Sequence, residues 1–483
     1  MPASSLTSRH FWVHYGLPLL FTAILVCGAV TQLFFFKAND WDFSYFSVLP
    51  WNIGNGYGWH VPFHEITSGI PFYAHHWEPF ILALVPFLTV FDSPYALSVL
   101  HSLALGAWFF LLPVLVKIIF SEAGRKDYEG WALFFIVLLF FYMPFMGPWR
   151  YQTHETTLVS PAIFLAIIAL HRKKVIWACF WCAIVASAQE RASLAVFSVG
   201  MYAALLLHMR RLGLGLCLAA CIYFWGVVKL LLPFLRGGLP YAFNDQVSGL
   251  THMGEKALFL FKYLAYTLFL PLAGRRAMLA ASCIAPMLGM ALISNRKGLY
   301  SFVHQYQDIS APFMLIAAIY GAVWLLQKNI FQRIPTSMRY AGCIIIFFCS
   351  FWGSRFSHPM LLIPMNFYDH SFHERALLHQ DLDVLLAFSK GKKLYVQSDV
   401  GPIVSLRVDR YTLDESNIQT PYSDSVIAIS PLFAKSYTLG KYGDALQALD
   451  ANSSLQCVAD TGRLRVYATK ENSRPWPESQ AKK

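Results

Sequence analysis

The sequence predicts a mainly α-helical, polytopic membrane protein of about eleven transmembrane helices, with a small C-terminal α/β domain on the outer face. Three observations predict it. Only 13% of the 483 residues are charged, where soluble domains carry about 25%. Mean hydropathy is +0.46. Residues 11–36 form a 26-residue run with no formally charged side chain, enough to cross an apolar layer of about 30 Å.

That first run is too long for a cleaved signal peptide, and many apolar runs follow it. Further helix-length runs lie at 94–118, 131–148, 157–170, 175–188, 192–208, 212–233, 256–272, 277–294, 311–327 and 340–357. Residues 79–91 are shorter and read as an interfacial or re-entrant helix. Sidedness follows from charge. With the N-terminus inside, every inner connection is basic, from Lys117, Arg125 and Lys126 to Lys328, Arg333 and Arg339. Counting 79–91 as a crossing would break that pattern. The expected location is a cell (inner) membrane, with the N-terminus cytoplasmic and the C-terminal domain extracytoplasmic. The expected domains are a membrane domain over 1–365 (first outer loop 37–93), an α/β domain over 366–470 and a disordered tail over 471–483.

The net charge of +11 does not point to nucleic acid. No soluble segment interleaves Arg and Lys with stacking aromatics, and the basic pairs sit at helix ends. Eight of the nine cysteines lie in apolar runs. Cys179 and Cys182 have CxxC spacing but no second pair nearby, so they read as small hydrophobes.

Past residue 366 the chain turns polar. KLYVQS (393–398), SVIAIS (425–430), SLQCVAD (454–460) and RLRVYATK (463–470) read as strands, and GDALQALD (443–450) as a helix. Asp460-Thr461-Gly462 reads as a hairpin turn.

Polar groups gather where helices meet the outer interface. Asp40 and Asp42 follow the first run. His76 and Glu78 lie in HHWEPF (75–80), and Arg150 precedes THET (153–156), which contains His154 and Glu155. Glu190 and Arg191 form QER with Gln189, and His304 opens HQYQD (304–308). Ionisable groups at membrane depth need partners or a water-filled cavity, so these mouths are expected to converge on one. Asp42, Glu155 and Glu190 suit a general base or metal ligand. Arg150 and Arg191 suit an anionic group, and His76 and His154 suit either. Plainer readings exist. Asp40 suits a solvated loop, Glu78 an acid at a helix N-terminus, and Glu190 a pair with Arg191 alone.

An acid after the first span, an amphipathic loop and a His/Glu-Pro entry to a short run together resemble the first outer loop of GT-C glycosyltransferases. The resemblance implies a GT-C-like bundle that uses a lipid-phosphate-linked sugar donor. In that superfamily a first-loop acid and a second acid in the next outer loop line the active site. Asp42 matches the first; Glu155, with His154, stands at the second. The chain is also similar to a bacterial family of predicted membrane proteins, itself GT-C-like, through DFSYF (42–46), HWEP (76–79), YQTHET (151–156) and QER (189–191). QER stands where that family has a lysine-led motif, which makes Arg191 the cation. The second loop carries no Asp-x-Asp, so a divalent cation (Mg or Mn) stays an open cofactor.

The resemblance implies transfer of a sugar from a polyprenyl-phosphate donor to an acceptor glycan, lipid or protein on the outer face. In this scheme Asp42, Glu155 and Glu190 are catalytic, while Asp40, His76, Glu78, Arg150, His154, Arg191 and His304 bind substrate. The expected partners are that donor and membrane lipid, with no nucleic acid. The alternatives are a transporter or flippase for lipid-linked saccharides and a non-enzymatic scaffold subunit.

Overall fold

The computed structural model describes residues 10–61, 72–239, 251–328 and 372–470, together with residues 330 and 476. Within those ranges it leaves aside residues 39, 303, 408, 415–417, 420, 422, 434 and 437–439. The chain divides into two units, each described by itself. The first comprises Met1–Ala29, Tyr73–Phe80 and Val99–Leu362; the second comprises Val30–Phe72, Ile81–Ser98 and Ile363–Lys483.

Proline sets the irregularities of the long helices. Among the described residues, Trp12–Phe34, Pro94–Glu122 and Arg210–Leu235 are long and apolar enough to cross a membrane. In the first and third, a π-helical turn (Trp12–Gly16, Val227–Leu231) lies just before a proline, Pro18 or Pro233. The wider turn relieves the clash between the pyrrolidine ring and the preceding turn. Two further candidates are broken. Tyr128–Phe141 and Met143–Tyr151 meet at 46°, and Arg275–Ser282 and Ala285–Ile293 meet at 54°. Each second half restarts with a proline in its first turn, where the missing N–H costs nothing.

Shorter apolar helices complete the first unit: Glu155–His171, Val175–Ala188 and Ala311–Gln327, with Ser193–Leu205 beside them. The run at 340–357 lies outside the described residues. In the core, Trp108 packs edge-on against Phe164 at 5.0 Å and donates to Ser160 Oγ at 2.9 Å. Helices Ser193–Leu205 and Arg210–Gly226 touch backbone to backbone. A Cβ on Gly200 would stand 2.7 Å from the Gly213 carbonyl oxygen, so only glycine allows the approach.

In the second unit, Asp40–Gly54 is a helix, although the sequence reads there as loop. It packs on Ile81–Phe91, and Trp51 Nε1 donates to Asp92 Oδ1 at 2.7 Å. The C-terminal part opens with the helix Phe372–Phe388. Its Arg375 and His379 meet the Phe35 and Phe34 carbonyls at 2.7 and 3.0 Å, satisfying orphan acceptors where the first long helix ends.

The strands are β1 (Lys393–Val396), β2 (Arg410–Thr412), β3 (Ser425–Ile429), β4 (Lys435–Ser436), β5 (Gly440–Lys441), β6 (Leu455–Asp460) and β7 (Arg465–Thr469). Five form one sheet in the order β2-β1-β3-β7-β6, and β4 pairs with β5. β1 runs parallel to β2 and β3, while β7 is antiparallel to β3 and β6. The side chains alternate as a pleat requires. Leu394, Val396 and Val426 share a core with Leu378, Leu382 and Leu385. Tyr395, Ile427 and Tyr467 face Ala445 and Leu449 of the helix Tyr442–Ala451. Gly462 takes a φ of 76° in the expected turn. Apart from Trp476, packed on Phe388 at 5.3 Å, the tail expected to be disordered lies outside the described residues.

Candidate functional site

The first unit gathers an unusual set of buried polar side chains around the start of the helix Glu155–His171. Glu155, Thr156, Thr157 and Asp308 are fully buried, Glu190 is 3% exposed and Arg191 8%. The local folding explains how they meet. Gly147 lets the helix Met143–Tyr151 lie directly on the Phe302 backbone, which brings the segment ending in Asp308 alongside. QER forms a tight 3-10 turn, Glu190–Ala192, before the helix Ser193–Leu205.

Arg191 is the centre. Its Nε donates to Gln189 Oε1 and its Nη2 to Thr156 Oγ1 at 3.0 Å. Its guanidinium lies over the Tyr306 ring at 4.8 Å, with Arg296 at 5.2 Å from the same ring. Among the described residues no carboxylate lies within ion-pair distance of Arg191, and its buried Nη1 has no hydrogen-bond partner. The expected alternative, a simple Glu190–Arg191 pair, is not what forms. Glu190 instead lies 2.8 Å from His76 Nδ1 and accepts the Trp77 N–H at 3.2 Å. Glu78 accepts from Gln189 Nε2 at 3.1 Å.

A hydroxyl network continues from Arg191. Thr156 donates to Asp308 Oδ2 at 2.5 Å, and Thr157 donates to the same oxygen at 2.8 Å. His154 Nδ1 lies 2.9 Å from Thr156 Oγ1 and 3.0 Å from Glu155 Oε2. The Thr156 proton serves Asp308, so Nδ1 is the donor in that contact. Burial pushes the Asp308 carboxyl up despite Arg191 and the two hydroxyls. Burial and the Arg191 charge hold His154 well below the usual imidazole range, which keeps it neutral.

Gln152 adds a second sign of function. It has φ 70° and ψ −159°, a conformation that suits glycine rather than glutamine. It is 1% exposed, and both of its amide atoms lack hydrogen-bond partners among the described residues. Strain combined with unsatisfied polar atoms is typical of binding and catalytic sites.

The structure therefore brings His76, Glu78, His154, Glu155, Glu190 and Arg191 into the first unit's polar cluster. It leaves Arg150 exposed at the end of its helix. His304 stacks edge-on against Tyr151 at 5.3 Å. Asp40 and Asp42 open a helix of the second unit, where Asp42 is half-buried. Sequence reasoning missed Thr156, Thr157, Gln189 and Asp308 as members. Asp308 stood in the HQYQD group, and its place just before an apolar helix was the available signal. No group of three or more His, Cys, Asp or Glu with metal-holding geometry occurs among the described residues.

The model of the family described as "Predicted membrane protein (DUF2079)" matches residues 32–376. The chain belongs to that family. No curated protein matches it by sequence. Two solved structures share its fold, both of ArnT from Cupriavidus metallidurans. One is bound to undecaprenyl phosphate, with a TM-score of 0.54 at 12% identity. The other is in the apo state, with a TM-score of 0.53 at 13% identity. Each comparison covers 95% of this chain and 99% of the other. The GT-C-like fold expected from the sequence is thus borne out, as is membership of a family of predicted membrane proteins.

Proposed function

We propose that this protein is a GT-C-type membrane glycosyltransferase that moves a sugar from a polyprenyl-phosphate donor to an acceptor on the outer face. The observation that carries the reading is Arg191, a buried guanidinium with an unpartnered Nη1 and no carboxylate counterpart. A buried cation without a counter-ion is costly unless a ligand supplies the charge. The positive end of the helix Glu155–His171 adds to the attraction for a phosphate.

In this reading Arg191 holds the donor phosphate. The acceptor hydroxyl oxygen bonds to the anomeric carbon as the bond from that carbon to the phosphate oxygen breaks. The electron pair leaves on polyprenyl phosphate, and the hydroxyl proton passes to a general base, the role that the resemblance alone gives to Asp42. Glu155, whose oxygens accept no hydrogen bond among the described residues, faces the positive charge developing on the sugar. Glu190 positions His76. Eleven spans, a cytoplasmic N-terminus and an extracytoplasmic C-terminal domain complete the proposal.

Reconstituted protein incubated with radiolabelled polyprenyl-phosphate sugar tests it. The expected product is free polyprenyl phosphate. Passage of intact donor across the bilayer without release would instead make the protein a transporter. Asp42→Asn should lower transfer by about 10²–10⁴-fold at unchanged expression.

A further inference from the structure

A second polar feature lies outside that cluster. A cleft of about 540 Å³ opens in the first unit where the start of Trp12–Phe34 meets the last turns of Pro94–Glu122. The end of the helix Glu155–His171 closes its third side. Tyr15, Val114 and Ile118 give it an apolar wall, and His14, Lys117 and Arg172 give it a basic rim.

One acid, Glu122, lines the cleft itself, and it and nearby Glu129 are each held by a histidine. Glu129 lies 3.3 Å from His10 Nδ1, and Glu122 lies 2.6 Å from His171 Nδ1. Lys117 and Arg172 have no ion pair among the described residues; Lys117 only overhangs the Tyr128 ring at 5.6 Å. The buried Nε2 of His14 has no hydrogen-bond partner among them. The cleft is also braced. His171 Nε2 contacts the Tyr202 hydroxyl at 2.7 Å, which in turn contacts the Tyr320 hydroxyl at 2.9 Å.

We infer that this cleft holds the phosphodiester head group of an anionic phospholipid. The aromatic residues beside it support that occupant. Tyr15, which lines it, and Phe11 and Trp12 on the same helix start are all about half exposed, the composition of an aromatic belt at head-group level. A free phosphate would use the basic rim but not the apolar wall, which continues along two membrane-length helices where an acyl chain can lie. Basic pockets between spans are suited to such lipids.

The test uses full-length protein in phosphatidylcholine nanodiscs doped with phosphatidylglycerol, with retained lipid counted by native mass spectrometry. Wild type should retain phosphatidylglycerol in preference to phosphatidylcholine. Neutralising both rim cations, Lys117→Gln with Arg172→Gln, should cut that preference on the order of 25-fold, about fivefold per basic side chain. The charge-keeping pair Lys117→Arg with Arg172→Lys should preserve it, which separates loss of charge from loss of folding. Equal retention of both lipids by wild type would overturn the inference. So would full preference in the neutralised variant, or displacement of the lipid by inorganic phosphate alone.

Discussion

Two regions bury charge in opposite ways. In the C-terminal part of the second unit the Asp381 carboxylate is closed by an arginine, although Arg407 Nε in the same part is buried without a hydrogen bond among the described residues. Asp381, 6% exposed, receives Arg463 Nε at 3.0 Å and Nη2 at 3.3 Å, and Thr461 Oγ1 at 2.9 Å. Asp460, at the surface, takes Arg465 at 2.6 Å and the Gly462 N–H at 2.9 Å. In the first unit's cluster the groups are open. Arg191, Glu155, Asp308 and Gln152 each keep a buried polar atom without a hydrogen bond among the described residues. Closed pairs hold a fold together. Open ones lower its stability and leave valence for a ligand, and what marks the first unit's cluster is that several of them gather around the start of one helix.

The largest effect should separate the regions directly. Arg191→Gln is expected to lower transfer by about 10²–10³-fold, the usual loss when a charge-stabilising donor is removed. Its thermal midpoint should move less than its activity, because no carboxylate within ion-pair distance is orphaned and the glutamine amide can still donate to a neighbour. A large drop in midpoint would mean that Arg191 is structural. Asp381→Ala should do the reverse, destabilising the protein by about 2 kcal/mol, the buried-pair cost discounted for the partly exposed Arg463. Transfer per folded molecule should stay the same, as measured by thermal unfolding alongside the radiolabel assay. Thr156→Val keeps shape but removes the hydroxyl that links Arg191, His154 and Asp308; a loss of at least about tenfold in kcat/KM is expected.

The smallest effect concerns pH. Burial alone would lower the His76 imidazole, but the Glu190 charge and hydrogen bond outweigh it, helped by Glu78, and raise it above the usual value. The pair's stabilisation is therefore complete below about pH 6.5 and fades as pH rises through the raised value. The gap in thermal midpoint between wild type and His76→Gln should shrink with rising pH. A gap that widens would reverse the assigned sign.

Most helices and strands were legible because apolar runs and period-two alternation are written directly in residue type. Glu155, Glu190, Arg191 and His76 were legible because ionisable groups are conspicuous beside apolar runs. The helix Asp40–Gly54 was not, since Pro50 and the glycines after Asn52 are signals of a loop. Thr156 and Thr157 were hidden because a hydroxyl in a first helical turn normally looks like local capping. Their partner Asp308 is about 150 residues away, a pairing that only tertiary structure creates. Gln152 was the least visible, since nothing about a glutamine announces a positive φ.

That glutamine has a practical consequence for protein engineering. A screen for heat-resistant variants should recover Gln152→Gly early, because glycine adopts this dihedral without penalty. The same hits should turn over more slowly, as the amide and the tension that aims the following threonine–histidine–glutamate segment would both be gone. Sturdiness and turnover would then be seen to compete at a single peptide link.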